Sequence, residues 1–286
     1  MIVAVVVTYS ATADLLDRCL RALLATPDLD RVVVVDTGGT ARPLDDDRID
    51  VLHTANHGYG AAANAGFAFA RRYSPSACFL VNDDVVVRDG WLAPLVAALD
   101  APAVGAVQPK LLYADRPSPT VNSLGVVVGP DGAGIDIAVG AADTDGGAAT
   151  EREIDGFTGG AVLLSRAFLD ATGGFDERYF LYYEDVDLSA RGRRLGWRYR
   201  CALTSVVDHV GSASTGADRA RTRYLQERNR LWCTFRNGDP ATIGRAVWLS
   251  VRRLRHQPRR VHAKALAAGL AGAPGRLSER ISDRRA

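Results

Sequence analysis

Three short segments carry side chains that could do chemistry. Asn82-Asp83-Asp84 directly follows an apolar run at 78–81. Carboxylates at a strand end are hard oxygen ligands suited to Mg²⁺ or Mn²⁺ on a diphosphate, and strand alternation predicts that positions 82 and 84 share a face. Glu184-Asp185-Val186-Asp187 opens a helix and follows Tyr179, Phe180, Tyr182 and Tyr183, so four aromatics and three acids fall within nine residues. Acids in a first turn often only cap a helix and complement its dipole. Beside so many aromatics they also read as a sugar-binding wall with a candidate general base. His209, in Asp208-His209-Val210-Gly211-Ser212, follows a strand and could offer a neutral imidazole to a metal if it reaches the same crevice.

Further polar or glycine-rich residues end predicted strands: Thr8-Tyr9-Ser10, Asp36-Thr37-Gly38-Gly39 and Asn56-His57-Gly58-Tyr59-Gly60. In an open α/β sheet, ligands bind at the carboxyl ends of the strands. With the Asn82 triplet, four such ends converge, which suits a nucleotide pocket.

The elements that must position these residues follow from periodicity. Runs at 3–8 and 31–36 are apolar and rich in Val, as in strands buried on both faces, and 51–54, 78–81 and 105–109 are shorter strands. Between them, 14–25 places Leu15, Leu16, Cys19, Leu20, Leu23 and Leu24 on a helical stripe; 61–72 and 91–99 are further helices. This alternation predicts an α/β fold with a doubly wound, mostly parallel sheet. Beyond it, 121–128 and 135–139 flank the turn Gly129-Pro130-Asp131-Gly132 and predict a hairpin. A Gly/Ala/Asp loop spans 141–149, and 156–164 is a small-residue turn entering a strand. Helices at 166–172 and 185–195, the latter ended by Gly196, precede a strand at 198–207. From Asp218 the chain reads as helical, with Ile243, Val247, Val251 and Leu254 on one face. A catalytic domain over 1–215 and a helical basic extension over 216–286 are expected.

The 286 residues are 47% hydrophobic and 24% charged, an ordinary globular composition that excludes a disordered, collagen-like or disulfide-scaffold chain. Net charge is only +2, which argues against nucleic-acid binding driven by bulk charge. The charge is uneven: residues 241–286 hold 11 Arg or Lys against 2 acids, so a basic tail follows an acidic body. Arg245, Arg252, Arg253, Arg255, Arg259 and Arg260, beside the apolar stripe, could rest on an anionic membrane surface. The alternative is a helix packed on the body with a solvated basic face. Cys19, Cys78, Cys201 and Cys233 have no CxxC spacing, which favours buried thiols in a reduced, cytoplasmic compartment over zinc. No apolar run approaches the ~20 residues of a membrane span. The apolar start lacks a basic n-region and reads as a strand rather than a signal peptide. The expected location is cytoplasmic, with peripheral contact at the inner face of the plasma membrane if the basic helices touch lipid.

Together these motifs resemble the family-2 glycosyltransferases, over about residues 1–215. Val6-Val7-Thr8-Tyr9-Ser10 is similar to that family's opening strand. Val33-Val34-Val35-Asp36-Thr37-Gly38 is similar to its second strand, whose Asp contacts the base. Asn56-His57-Gly58-Tyr59-Gly60 through Asn64-Ala65-Gly66 resembles its Asn–Gly–aromatic–Gly segment. Asn82-Asp83-Asp84 stands at its DXD-like metal motif, with Asn82 in place of the first Asp, so Asp84 carries most of the ligation and Asp83 assists. Gly156-Phe157-Thr158-Gly159-Gly160 through Arg166 resembles its acceptor-side segment, Glu184-Asp185 its ED motif, and His209 its late metal ligand. The resemblance implies a GT-A fold, with a nucleotide-sugar half over about 1–110 and an acceptor half over 111–215. It implies inverting transfer from a nucleoside-diphosphate sugar with Asp185 as base. Thr8, Tyr9, Asp36, Asn56, Gly58, Asn64, Asp83, Gly159, Gly160 and Glu184 would contact substrate, and Asp84 and His209 would hold Mg²⁺ or Mn²⁺. The acceptor would be a cell-envelope glycan, a lipid-linked saccharide or a secondary metabolite. Thr37-Gly38-Gly39 departs from the commoner Asn-Gly-Ser. Tyr224 through Arg228-Asn229-Arg230 is similar to a segment of rhamnosyl- and galactofuranosyltransferase-like branches and favours dTDP-L-rhamnose.

Two other classes compete. Gly58-Tyr59-Gly60-Ala61-Ala62-Ala63 satisfies the dinucleotide fingerprint G-x-G-x-x-G/A, with Asp83 about 20 residues on. That NAD(P) oxidoreductase reading leaves the aromatic–acid cluster and His209 without a role. A non-catalytic sugar-binding module would need no base.

Overall fold

The computed structural model describes residues 1–9, 13–42, 44–144, 149–210 and 219–283. Ser10, Gly211, Ser212, Asp218, the centre of the 141–149 loop and the expected boundary at 215/216 lie outside the described residues.

The chain order is β1 (Ile2–Thr8), α1 (Ala13–Leu24), β2 (Arg31–Asp36), β3 (Ile49–His53), α2 (Tyr59–Ala70), β4 (Ala77–Asn82), β5 (Val85–Val87), α3 (Leu92–Leu99), β6 (Val104–Tyr113), β7 (Val121–Ser123), β8 (Val126–Val128), β9 (Gly134–Asp136), β10 (Glu151–Ile154), β11 (Ala161–Ser165), α4 (Arg166–Thr172), α5 (Glu184–Arg194), β12 (Arg198–His209), α6 (Arg219–Asn237), α7 (Pro240–Arg253) and α8 (Arg259–Ser282). One sheet runs β10-β12-β6-β11-β4-β1-β2-β3, with β5 on β12 and β7 on β6. Strands β3, β2, β1 and β4 are mutually parallel, as are β6 and β12, and β11 runs antiparallel between β4 and β6.

The valine runs form β1 and β2 because both faces of the sheet are covered. Ala4 and Val6 point into a core made with Leu16, Leu20 and Leu23 of α1. Val3, Val5 and Val7 point into the opposite core with Ala62, Ala63 and Phe67 of α2. Alternation splits each strand between the two. Helix α2 is built of small residues because it lies against the sheet: a Cβ on Gly66 would stand 2.3 Å from Val5 Cγ1.

Several expectations are corrected. The predicted hairpin is shorter, β8 with β9, while β7 pairs with β6. Strand β5 is three valines, too short to declare itself, and β10, Glu-Arg-Glu-Ile, is too polar. The helical tail is three helices. Ile243 and Val247 pack against Leu231, Phe235 and Leu266, but Val251 is 50% exposed, so the predicted stripe is only half buried. All four cysteines are buried thiols. No helix among the described residues is long and apolar enough to cross a membrane.

Candidate active site

Asp36 ends β2 with its carboxylate almost fully buried. It accepts the amides of Gly38 (2.9 Å), Gly39 (2.8 Å) and Ala41 (3.0 Å), and His53 Nδ1 lies 3.3 Å away. Burial alone would raise its pKa; the three amides and His53 outweigh that and hold it below the ordinary carboxylate range. Asp36 therefore shapes the loop after β2. Gly38 is required there, because a Cβ would meet the Tyr9 carbonyl oxygen at 1.6 Å. Thr8 is buried, and its carbonyl accepts the Thr37 amide and hydroxyl; Tyr9 is exposed.

The Asn82 triplet is not a strand end in the expected sense. Strand β4 stops at Asn82, and Asp83-Asp84 form the tight turn into β5, so alternation does not govern them. The turn has another use. β5 pairs antiparallel with β12, setting His209 opposite Val85 and next to Asp84. His209 Nε2 lies 3.2 Å from Asp84 Oδ1, and that oxygen is buried without a hydrogen-bond partner. On the other side of the ring, Asn122 Oδ1 lies 3.0 Å from Nδ1. Asn122 Oδ1 can accept only from an Nδ1–H, so in the neutral ring Nε2 presents its lone pair to the carboxylate. A buried orphan oxygen opposite a nitrogen lone pair fits a cation between them, and a carboxylate–imidazole donor set suits Mn²⁺ or Mg²⁺. Among the described residues no cluster of three or more His, Cys, Asp or Glu converges on a cation. Asp83 accepts from the Thr8 hydroxyl; burial, with Asp84 beside it, raises its pKa to about 6.

The segment Thr158-Gly159-Gly160, leading into β11, lies between this pair and the ED motif. The Gly159 amide donates to Asp185 Oδ2 at 2.9 Å, and its carbonyl accepts the Tyr59 hydroxyl at 2.6 Å. One residue on, a Cβ at Gly160 would be 3.7 Å from His209 Cε1, and the Gly160 carbonyl accepts the Asn82 amide. The Thr158 amide donates to Gln108 Oε1 at 2.9 Å. Asp185 and the Asp84–His209 pair thus flank two consecutive glycines.

Glu184 and Asp185 begin α5. Burial raises both pKa values, and Asp185 raises that of Glu184 further. The amides of Gly159 and Val186 oppose the rise only at Asp185. Glu184 Oε2 is buried without a partner. The two carboxyls are thus unlike: burial and the neighbouring Asp185 favour the protonated form of Glu184, while the Gly159 and Val186 amides favour the ionised form of Asp185.

The preceding loop corrects the expected aromatic wall. Tyr179 is fully buried, with its ring 4.9 Å from the Arg276 guanidinium, and Tyr183 packs against Val126 and Cys233. Phe180, Tyr182 and Tyr183 remain partly open. Phe180, Tyr182 and Tyr183 have φ of 67°, 70° and 71°, a left-handed conformation costing of order 1–3 kcal/mol each. Asn229 of α6, itself buried, holds the loop by donating to the carbonyls of Tyr179 (2.9 Å), Leu181 (2.8 Å) and Tyr182 (2.8 Å). Asp187, expected only to complement the helix dipole, is also fully buried. It accepts from Arg191 (2.8 Å), Arg236 (3.3 Å) and Asn237 (2.9 Å).

The α2 segment serves packing rather than a dinucleotide. Gly58 has φ 102°, and a Cβ there would stand 2.2 Å from the Phe180 carbonyl oxygen. That oxygen accepts the Tyr59 amide at 2.7 Å. The close approach that a fingerprint glycine gives a pyrophosphate is taken here by the aromatic loop. Asn56 is exposed, and its side chain accepts the Gly58 amide. Asn64, expected on substrate, spends its amide on both backbone groups of Phe175. Arg166 pairs with Asp170 on its own helix. Asn122, Gln108, Tyr59 and Asn229 were not singled out for these tasks by sequence reasoning; Tyr59 and Asn229 stood in motifs, Asn122 and Gln108 in none.

A family model described as "Glycosyltransferase like family 2" matches residues 2–234. The O-antigen biosynthesis protein RfbC of Myxococcus xanthus is 32% identical over 229 residues, 76% of this chain but only 18% of RfbC. An N-acetylglucosaminyl-diphospho-decaprenol L-rhamnosyltransferase of Mycobacterium tuberculosis is 31% identical over 241 residues, covering 76% of this chain and 78% of that protein. Among solved structures, GalNAc-T7 with UDP, GalNAc and Mn²⁺ superposes with a TM-score of 0.68 at 13% identity, over 98% of this chain and 57% of that one. Mannosyltransferase PcManGT from Pyrobaculum calidifontis, with GDP-Man and Mn²⁺, gives 0.54 at 16% identity, over 99% and 86%. The fold is therefore GT-A, the oxidoreductase and non-catalytic readings fall away, and the chain belongs to glycosyltransferase family 2.

Proposed function

We propose that the chain is an inverting, metal-dependent transferase that moves a sugar from a nucleoside-diphosphate donor, dTDP-L-rhamnose by preference, to a hydroxyl of a cell-envelope or lipid-linked saccharide. The observation that carries this reading is the amide-held Asp185 and the Asp84–His209 pair on either side of Gly159-Gly160. The rhamnosyltransferase and O-antigen names of relatives support the donor and acceptor class. The Mn²⁺ in both structural neighbours supports a divalent ion.

Asp185 takes the acceptor's hydroxyl proton as the oxygen attacks the anomeric carbon. Gly159 and Val186 keep this carboxylate ionised and aimed. Thr8, Asp36 and Asp83 build the donor side of the pocket, Asp36 by holding the loop after β2 through its three amide contacts. Asp84 and His209 would hold Mg²⁺ or Mn²⁺ with the diphosphate, and a bound ion would supply positive charge to the departing group. One displacement inverts the anomeric centre. Transfer assays with dTDP-L-rhamnose, UDP-galactose and GDP-mannose on a polyprenyl-diphosphate N-acetylglucosamine acceptor, read by NMR of the product linkage, test this. Retained configuration, or full turnover in excess chelator, would refute it.

The Asn122 contact gives a separate check. Asn122→Leu should weaken Mn²⁺ binding by about 10–100-fold, the usual worth of a partner that orients a ligating His. Calorimetric titration measures this without turnover, and an unchanged Kd would remove Asn122 from the site.

The pH profile has a defined sign. Asp185 works only when ionised, and its pKa is raised by burial. Turnover should therefore fall as pH drops through that raised value, above the range of an exposed Asp. An acid limb at ordinary aspartate pH would contradict the assignment.

A further inference from the structure

Away from the strand ends, α6, the end of α7 and the start of α8 border an open cavity of about 300 Å³. Arg223, Arg252, Arg253, His256 and His262 line it, and no lining side chain is acidic. His262 is only 3% exposed, and its Nδ1 has no hydrogen-bond partner among the described residues. Burial first, then Arg223, Arg253 and His256, hold its pKa below the ordinary imidazole range. Glu227, the acid paired with Arg253, is shared with buried Arg230. So many like charges around one open ring nitrogen are unfavourable until an anion joins them.

The chemistry of the lining selects the anion. Guanidinium forks match phosphate oxygens, and a ring N–H adds one directed bond. The surroundings select its source. Trp248 is 58% exposed, with the Arg252 guanidinium 4.7 Å from its ring, and Arg255, Arg259 and Arg260 are exposed nearby in the chain. An exposed Trp among arginines is suited to a lipid–water interface. Part of the basic tail instead packs on the body, Arg245 donating to the Pro130 carbonyl. We propose that this cavity binds the phosphate of an anionic lipid headgroup, with Trp248 and Val251 entering the interface. The site would act whatever sugar is moved, and its test reads binding rather than transfer.

The test uses the full chain with vesicles of phosphatidylglycerol in phosphatidylcholine, with pure phosphatidylcholine vesicles, and with inorganic phosphate, all at one ionic strength. Saturable binding to the anionic vesicles is expected. Arg223→Gln with Arg252→Gln should weaken it by about tenfold or more, from two arginines each worth about 1 kcal/mol at a charged surface plus the bonds lost in the cavity. Arg255→Gln with Arg259→Gln removes equal charge outside the lining and should cost less. His262→Asn, which deletes the ring and no formal charge, should also weaken vesicle binding. Thermal melting checks that each variant is folded. Equal losses in the two arginine pairs would reduce the effect to a diffuse field and overturn the site. Phosphate binding without vesicle binding would overturn the lipid assignment, and equal binding to both vesicle types would overturn both.

Discussion

Asp185→Asn is expected to lower transfer by roughly 10²–10⁴ at saturating acceptor, the usual worth of a positioned base. Donor binding, measured by titration with the nucleoside diphosphate and Mn²⁺, should be nearly unchanged, because the carboxylate acts on the acceptor. The two oxygens of Asp185 accept from different amides, Oδ1 from Val186 at 2.8 Å and Oδ2 from Gly159 at 2.9 Å. An Asn can satisfy one of these and must turn an N–H towards the other, so a stability loss of about 1–3 kcal/mol should accompany the loss of turnover. Glu184→Gln is the discriminating control. Burial and the neighbouring Asp185 already favour the protonated form of Glu184, so a neutral amide changes little and the variant should retain far more activity. Near-normal turnover of Asp185→Asn would eliminate it as the base and move the role to Glu184.

Asn229→Ala should be the most damaging change outside the strand-end pocket. One side-chain amide donates to three carbonyls of a loop that contains three left-handed non-glycine residues. The Tyr179 carbonyl keeps the Arg228 guanidinium at 2.9 Å, but the Leu181 and Tyr182 carbonyls lose this donor, at about 1–3 kcal/mol each if left unsatisfied. The strain, no longer opposed, favours a relaxed loop. Asp185 starts the helix that this loop feeds, and a shift of about 1 Å at a reacting group can cost 10²-fold. A lower melting temperature and a fall in kcat of about that size are expected together. Wild-type values of both would show that the loop is held by other contacts.

The parallel half of the fold was legible because β1, β2 and β4 are continuous apolar runs and α1 keeps a clean stripe. Asp84 and His209 were legible as types, but not their meeting. That depends on β5, a three-residue strand whose only business is to fold the Asp83-Asp84 turn back against β12. Asn122 and Gln108 were illegible because a lone amide in a strand carries no local signal; both act through partners far along the chain. Tyr179 and Asp187 misled for the opposite reason. Their types suggest a ligand wall and a helix dipole, whereas the burial that makes them core residues comes from α6 and α8 packing over them.

That packing is anchored by charge. Arg276, near the end of α8, is buried and paired with Asp176, which also receives Arg178 and Arg236. Screening by salt reaches such pairs poorly, so α8 is fastened to the segment just before the aromatic loop. The same helix carries His262 near its start, roughly 21 Å away by helical rise. A lipid phosphate held at His262 would make α8 a strut, setting the strand-end cleft at a fixed height and tilt above the bilayer. The length and stiffness of an acceptor rising from the membrane would then decide which of its hydroxyls arrives at Asp185.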